Sequence, residues 1–175
     1  MGRYQECCAW CEESLSIAWQ CGDELPMGEA HCQLGASLLA LAPDQATPHF
    51  EAGLALARRL GHVELTIFAH AGLGEAHSIG EQWDLAEAAY AESLVLGRKL
   101  RSNFHVMIAL ANLARCSVLM GKRAEATGRV RECVTLCADF PSVQMVQMTL
   151  LSCGGLAVVV DDWPTAARLW GAIDS

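Results

Sequence analysis

Nine cysteines and six histidines in a chain of 175 residues are the first place to look for chemistry. Cys7, Cys8 and Cys11 crowd the N-terminus, and Cys21, His31 and Cys32 follow where a second helix could bring them near. Thiols four residues apart share a helical face, as a zinc site or a thiol switch requires. The cluster lacks the paired CxxC…CxxC spacing of such sites, having Cys8 and Cys11 alone at that interval, and free cysteine also packs as a small hydrophobe. Cys7 with Cys11, and Cys133 with Cys137, stand four apart. Their β-carbons would lie roughly 5 to 6 Å from each other on a helix, wider than the ~3.5 to 4.5 Å of a disulfide. Packing is the expectation, with no in-helix disulfide and no bound metal. A metal- or redox-responsive helical sensor built on the N-terminal cysteines is the alternative function.

His70 and His77 fall two helical turns apart with Glu75 between them, a spacing that could suit a metal or an acid–base pair. Their positions in the repeat described below are those of bulky packing residues, so they read as structural. Asp161-Asp162 lies in a predicted turn and Glu12-Glu13 on an exposed helical face. HExxH, GxSxG and the GxxxxGK[ST] phosphate loop are all absent. No catalytic residue and no cofactor are assigned, and the chain is not expected to be an enzyme.

Twelve Lys and Arg against twenty Asp and Glu give a formal charge of −8, which opposes tight binding to a phosphate backbone. The apolar run Leu156–Val160 is far too short to span a bilayer, and no apolar stretch follows Met1. The expectations are therefore a cytoplasmic location, no direct nucleic-acid binding and no membrane association.

The elements that would position these side chains announce themselves by recurrence. Gly74 is followed by Ala86, Ala114 by Ala126, Gly154 by Ala166 and, one residue short, Gly35 by Ala46. A small residue on each of two consecutive helices lets antiparallel backbones approach closely, and recurrence about every forty residues stacks such hairpins. Four residues beyond each alanine stands a larger apolar one: Phe50, Tyr90, Val130 and Trp170. The pattern predicts first helices over Leu25–Leu41, Glu64–Ile79, Asn103–Met120 and Ser142–Val160. Second helices are predicted over Tyr4–Cys21, Ala46–Leu60, Trp83–Leu100, Arg123–Ala138 and Trp163–Ile173. Gly22 and Gly61 suit left-handed helix stops, and Ser102 and Ser142 suit caps. Val158, Val159 and Val160 are assigned to a helix because the period, rather than β-propensity, governs that segment.

Leu34-Gly35, Leu73-Gly74, Leu113-Ala114 and Cys153-Gly154, with the second-helix residues above, resemble the tetratricopeptide repeat. The period near forty exceeds that repeat's usual thirty-four, and no proline closes each unit. Armadillo and HEAT repeats are the architectural alternative, against which the small-to-small spacing of twelve speaks. Glu12–Ala18, Glu92–Arg98 and Ala166–Ala172 are similar to second helices in the long-repeat regions of bacterial LuxR-type and MalT-like ATPase transcription regulators. The resemblance implies an all-α fold, a right-handed α-solenoid over 1–175. It would comprise a half repeat at 1–22 and repeats at about 23–62, 63–101, 102–139 and 140–175, as a fragment of a larger protein. It implies a non-catalytic protein-interaction scaffold, the sensory or assembly region of a signalling or transcription regulator.

In that geometry the first helices line a concave groove. Carried across position by position, its lining is Cys32, Ala36 and Leu39, then Phe68, Ala71, Glu75 and Ile79. Ile108, Ala111, Arg115 and Leu119 follow, and then Met148, Leu151, Gly155 and Val159. The groove is apolar with Glu75 and Arg115 near its middle. Its expected partner is a protein or peptide, either an amphipathic helix or an apolar extended segment. The first unit matches only a second helix and the chain stops just after Leu169, Trp170 and Ile173, so both ends read as uncapped. Homo-oligomerisation through them is an accompanying expectation.

Overall fold

The computed structural model describes residues 2–139 and, beyond them, 146–147, 149–150, 153–155, 157, 162, 164–165 and 168. Among these the chain is helical, with no strand. Its helices are α1 (Gly2–Cys21), α2 (Glu24–Leu38), α3 (Pro43–Leu60), α4 (Val63–Ile79), α5 (Trp83–Lys99), α6 (Asn103–Leu119) and α7 (Arg123–Asp139). Contacts divide the chain into two compact units, Met1–Leu96 and Gly97–Ser175. In the first unit α2 packs on α1 and α3, α3 on α4, and α2 also reaches α4; in the second, α6 packs on α7.

Local chemistry sets the helix ends. Asp23 caps α2 by accepting from the Leu25 amide at 3.3 Å, His62 Nδ1 caps α4 from Leu65 at 3.2 Å, and Ser102 caps α6 from His105. Gly22, Gly61 and Gly121 stop helices at φ 68, 66 and 71. At the corresponding stops without glycine, Glu81 and Arg101 take the same left-handed conformation, each at φ 56. One boundary departs from expectation by several residues. α3 starts at Pro43 rather than Ala46 and α2 ends at Leu38 rather than Leu41. Proline at the first helical position is preorganised and needs no amide, while the residue before it is pushed out of helical geometry. Ala42 accordingly sits at φ −152, ψ 73. Pro48, inside α3, removes one further helical hydrogen bond.

The core of the first unit is built on Cys32, Ala46, Phe50, Leu54, Ala57, Leu65, Ala69 and Leu73. Phe50 keys three helices together. A β-carbon on Gly35 of α2 would stand 3.1 Å from its ring, and one on Gly72 of α4 would collide with the same ring. Tyr90 of α5 repeats the arrangement, because a β-carbon on Gly74 would fall 2.5 Å from its Cε1. The small residue of each first helix thus receives the aromatic ring four residues beyond the alanine, while Ala46, Ala86 and Ala126 are fully buried. Where the glycine becomes Ala114 the later residue shrinks to Val130, and both are buried. Farther along the same hairpin, a β-carbon on Gly53 of α3 would strike Cys32 Sγ and lie 3.0 Å from the Gly28 carbonyl oxygen of α2. The contacts run antiparallel, from Gly28 beside Gly53 to Gly35 beside Phe50. In the second unit, α6 begins close against Gly97, whose β-carbon would meet His105 Cβ and the Val106 nitrogen at 3.2 Å.

The residues predicted as the helix Ser142–Val160 are helical wherever they are described, at 146–147, 149–150, 153–155 and 157. Gly154 is buried. Ser142, Val158, Val159, Val160, Trp163, Ala166 and Trp170 lie outside the described residues, as does most of the predicted helix Trp163–Ile173.

Two glycine substitutions separate packing from backbone conformation. Gly53→Ala is expected to destabilise by about 1–3 kcal/mol through overpacking, with part of the loss recovered by Cys32→Ala. Gly61→Ala, which meets nothing in space, is expected to cost about 1–2 kcal/mol through its left-handed φ alone. Urea midpoints at unchanged slope measure both, and recovery by Cys32→Ala is expected only beside Gly53→Ala.

Candidate functional site

Helix α4 carries the most complete part of the expected groove. Phe68 and Ile79 are three turns apart on one face and remain 41% and 45% exposed, a large apolar area for side chains neighbouring a core. Between them Glu75 is half-buried and accepts the Tyr90 hydroxyl at 2.8 Å. Tyr90 is fully buried, so a neutral donor to a carboxylate fixes α5 on α4 and orients the acid at once. In the second unit, α6 shows the same register: Leu119 is 54% exposed, Arg115 is exposed and Ile108 is half-buried. Phe104, which the repeat did not single out, extends this face by one turn. It is 49% exposed and edge-on to His105, with ring centroids 5.5 Å apart.

The α2 contribution differs from expectation. Cys32 is buried in the core, where Gly53 opens a socket for its sulfur, and the partly buried Ala36 and Leu39 pack against that core. Leu39 also serves as the α2 C-cap residue, its amide bonded to the Gly35 carbonyl oxygen. Met148, Leu151 and Val159 lie outside the described residues.

The N-terminal thiols do not converge with their proposed partners. Cys7 and Cys21 are exposed, Cys8 and Cys11 half-buried and Cys32 buried, and all nine cysteines are free. Among the described residues no three Cys, His, Asp or Glu side chains come together as a metal would require. Burial raises the Cys8 and Cys11 thiols and pushes Cys32 and Cys133 up to about 12, which keeps them protonated.

His31 has a different partner from those read in the sequence. Its Nδ1 lies 3.0 Å from Nδ1 of His49 on α3, at a groove of about 610 Å³ that Glu12, Trp19 and Leu34 also line. Burial first, and then His49, lowers the His31 pKa. Burial lowers His49 as well, against an opposing pull from Glu12. The two residues lie on different helices, so no single-helix periodicity links them and only the fold reveals this pair. His70 and His77 have separate partners. Buried His70 has Nε2 3.2 Å from Arg58 Nη2, so it must accept there, and burial followed by Arg58 lowers its pKa. His77 Nδ1 lies 2.8 Å from Gln82 Oε1.

No described helix is long and apolar enough to cross a membrane. No protein-family model matches the chain, and no curated protein matches it in sequence. Among known structures it is similar to the crystal structure of BtubC (BKLC) from P. vanneervenii. The identity is 14% and the TM-score 0.63, over 98% of this chain and 89% of that one. Identity so low bears on the fold alone, which is all-α with stacked helices.

Three histidines whose folded pKa values are lowered set the sign of the acid response. The unfolded chain, with histidines near their ordinary ~6.5, binds more protons in this window, so stability rises with pH. Their contribution is present above about pH 6.5 and is lost as pH falls through that value toward the lower folded values. Denaturation followed from pH 7.5 to 5 is expected to show this loss, and His49→Gln is expected to flatten it.

Proposed function

We propose that the chain is a tetratricopeptide-like right-handed α-solenoid serving as a non-catalytic protein-interaction scaffold. In this reading it is the sensory or assembly region of a cytoplasmic signalling or transcription regulator. The observation that carries the reading is the exposure of a large apolar side chain at the same register of two first helices, Ile79 at 45% and Leu119 at 54%. Phe68 and Ile79 on α4 correspond, forty residues on, to Ile108 and Leu119 on α6. A repeat that served packing alone would have no reason to hold a large apolar residue in water at the Ile79 and Leu119 position twice.

The ligand is a protein segment, an amphipathic helix or an apolar extended peptide, whose side chains cover such an apolar face. Glu75 gives polarity to the α4 face and Arg115 to the α6 face, since each stands midway along its helix between apolar flanks. Direct nucleic-acid binding is opposed by the charge of −8. Specificity comes from the spacing of apolar anchors, because truncation of a few such anchors usually removes most of an interface's affinity.

Affinity capture from the native host, with bound proteins identified by mass spectrometry, tests the reading. Phe68→Asp and Arg115→Glu are each expected to reduce recovery of the principal partner at least about tenfold while leaving helicity unchanged. Undiminished recovery with both variants refutes the assignment of these faces.

A further inference from the structure

Helix α1 carries a second surface that the faces on α4 and α6 do not include. Trp10 and Ile17, two turns apart, are 74% and 55% exposed. They wall a groove of about 450 Å³ with Ala18 at its floor and Pro26 of α2 on its far side. The repeat register explains what such a groove accepts. Trp10, Ser14 and Ile17 correspond to His49, Gly53 and Leu56 of α3, and those three are where α2 lies on α3. His49 meets His31, Gly53 meets Cys32, and Leu56 Cβ stands 3.3 Å from the β-carbon position of Gly28. The same face of α1 is thus shaped for a helix, with the small Ser14 at the point of closest approach.

Charge narrows the occupant. Glu13 and Asp23 line this groove, Glu6 and Glu12 lie on the same helix, and no Lys, Arg or His occurs from Tyr4 to Cys21. A second copy presenting the same face would set these acids against its own, and an anionic membrane would be repelled. We infer that the α1 groove is a docking site for a basic amphipathic helix. Its apolar seam lies between Trp10 and Ile17, a small residue meets Ser14, and Lys or Arg flanks reach Glu13 and Asp23.

The test titrates the whole chain into a fluorescein-labelled eighteen-residue helical peptide of Leu, Ala and Lys and follows anisotropy. A Leu, Ala and Glu isomer and anionic lipid vesicles run in parallel. One-to-one binding of the basic peptide is expected, weakening as salt rises. Trp10→Ala with Ile17→Ala is expected to weaken it at least about tenfold, and Glu13→Lys to weaken it and flatten the salt dependence. Trp19→Ala, on the other side of α1, and Phe68→Asp are expected to leave it unchanged, the latter separating this site from the scaffold reading. Circular dichroism of the exposed-site variants checks that helicity is retained. The inference is overturned by equal binding of the acidic isomer, by vesicle binding in place of peptide binding, by self-association in place of one-to-one binding, by no binding at all, or by unchanged affinity when Trp10 and Ile17 are both truncated.

Discussion

An aromatic ring laid against a glycine face is the contact on which the hairpins depend. Phe50 fills the space left by Gly35 on one neighbour and Gly72 on another, and Tyr90 does the same at Gly74. Ring and glycine are complementary in volume, so neither can change alone: a methyl group on the glycine collides, and a smaller ring leaves a void. The Ala114 and Val130 pair in the second unit shifts volume in the same sense, a larger residue on the first helix facing a smaller one on the second, and both are buried.

Polar groups inside the units serve that geometry. Tyr90 bonds Glu75, Arg58 bonds His70, and Arg129 of α7 donates to the Leu113 carbonyl at 2.8 Å and to the Ser117 hydroxyl. Each joins two helices where an unsatisfied partner would be costly. The exposed ion pairs Arg59–Glu24 and Arg98–Glu132, both at 2.7 Å, contribute far less because water screens them. The basic residues Arg58, Arg59, Arg98 and Lys99 also lie in the last turns of their helices, where the dipole favours them.

The helices were legible because their punctuation is local. Gly22, Gly61 and Ser102 act on their own neighbours, and the small residues recur at a fixed interval. Pro43 moved the α3 start because its fixed φ acts before the apolar pattern resumes at Ala46. Exposure was harder to read. Phe68, Ile79, Leu119, Cys32 and Leu39 were all placed in one groove by repeat position, yet the structure leaves the first three in water and gives Cys32 and Leu39 to the core. For Cys32 the difference is made by Gly53, a residue on another helix. His31 and His49 lie on different helices, and although Trp10 and Ile17 share a face of α1 by spacing, only the placed helices show that this face is exposed.

The two imidazoles of His31 and His49 carry a further consequence. With Nδ1 facing Nδ1 at 3.0 Å, a neutral pair can hold one proton between the rings, and the ring that donates it is left with a bare Nε2 while its neighbour's Nε2 bears hydrogen. The pair's remaining nitrogens are thus always one acceptor and one donor, and a single proton shuttle across the shared contact, with matching exchange at Nε2, reverses their order.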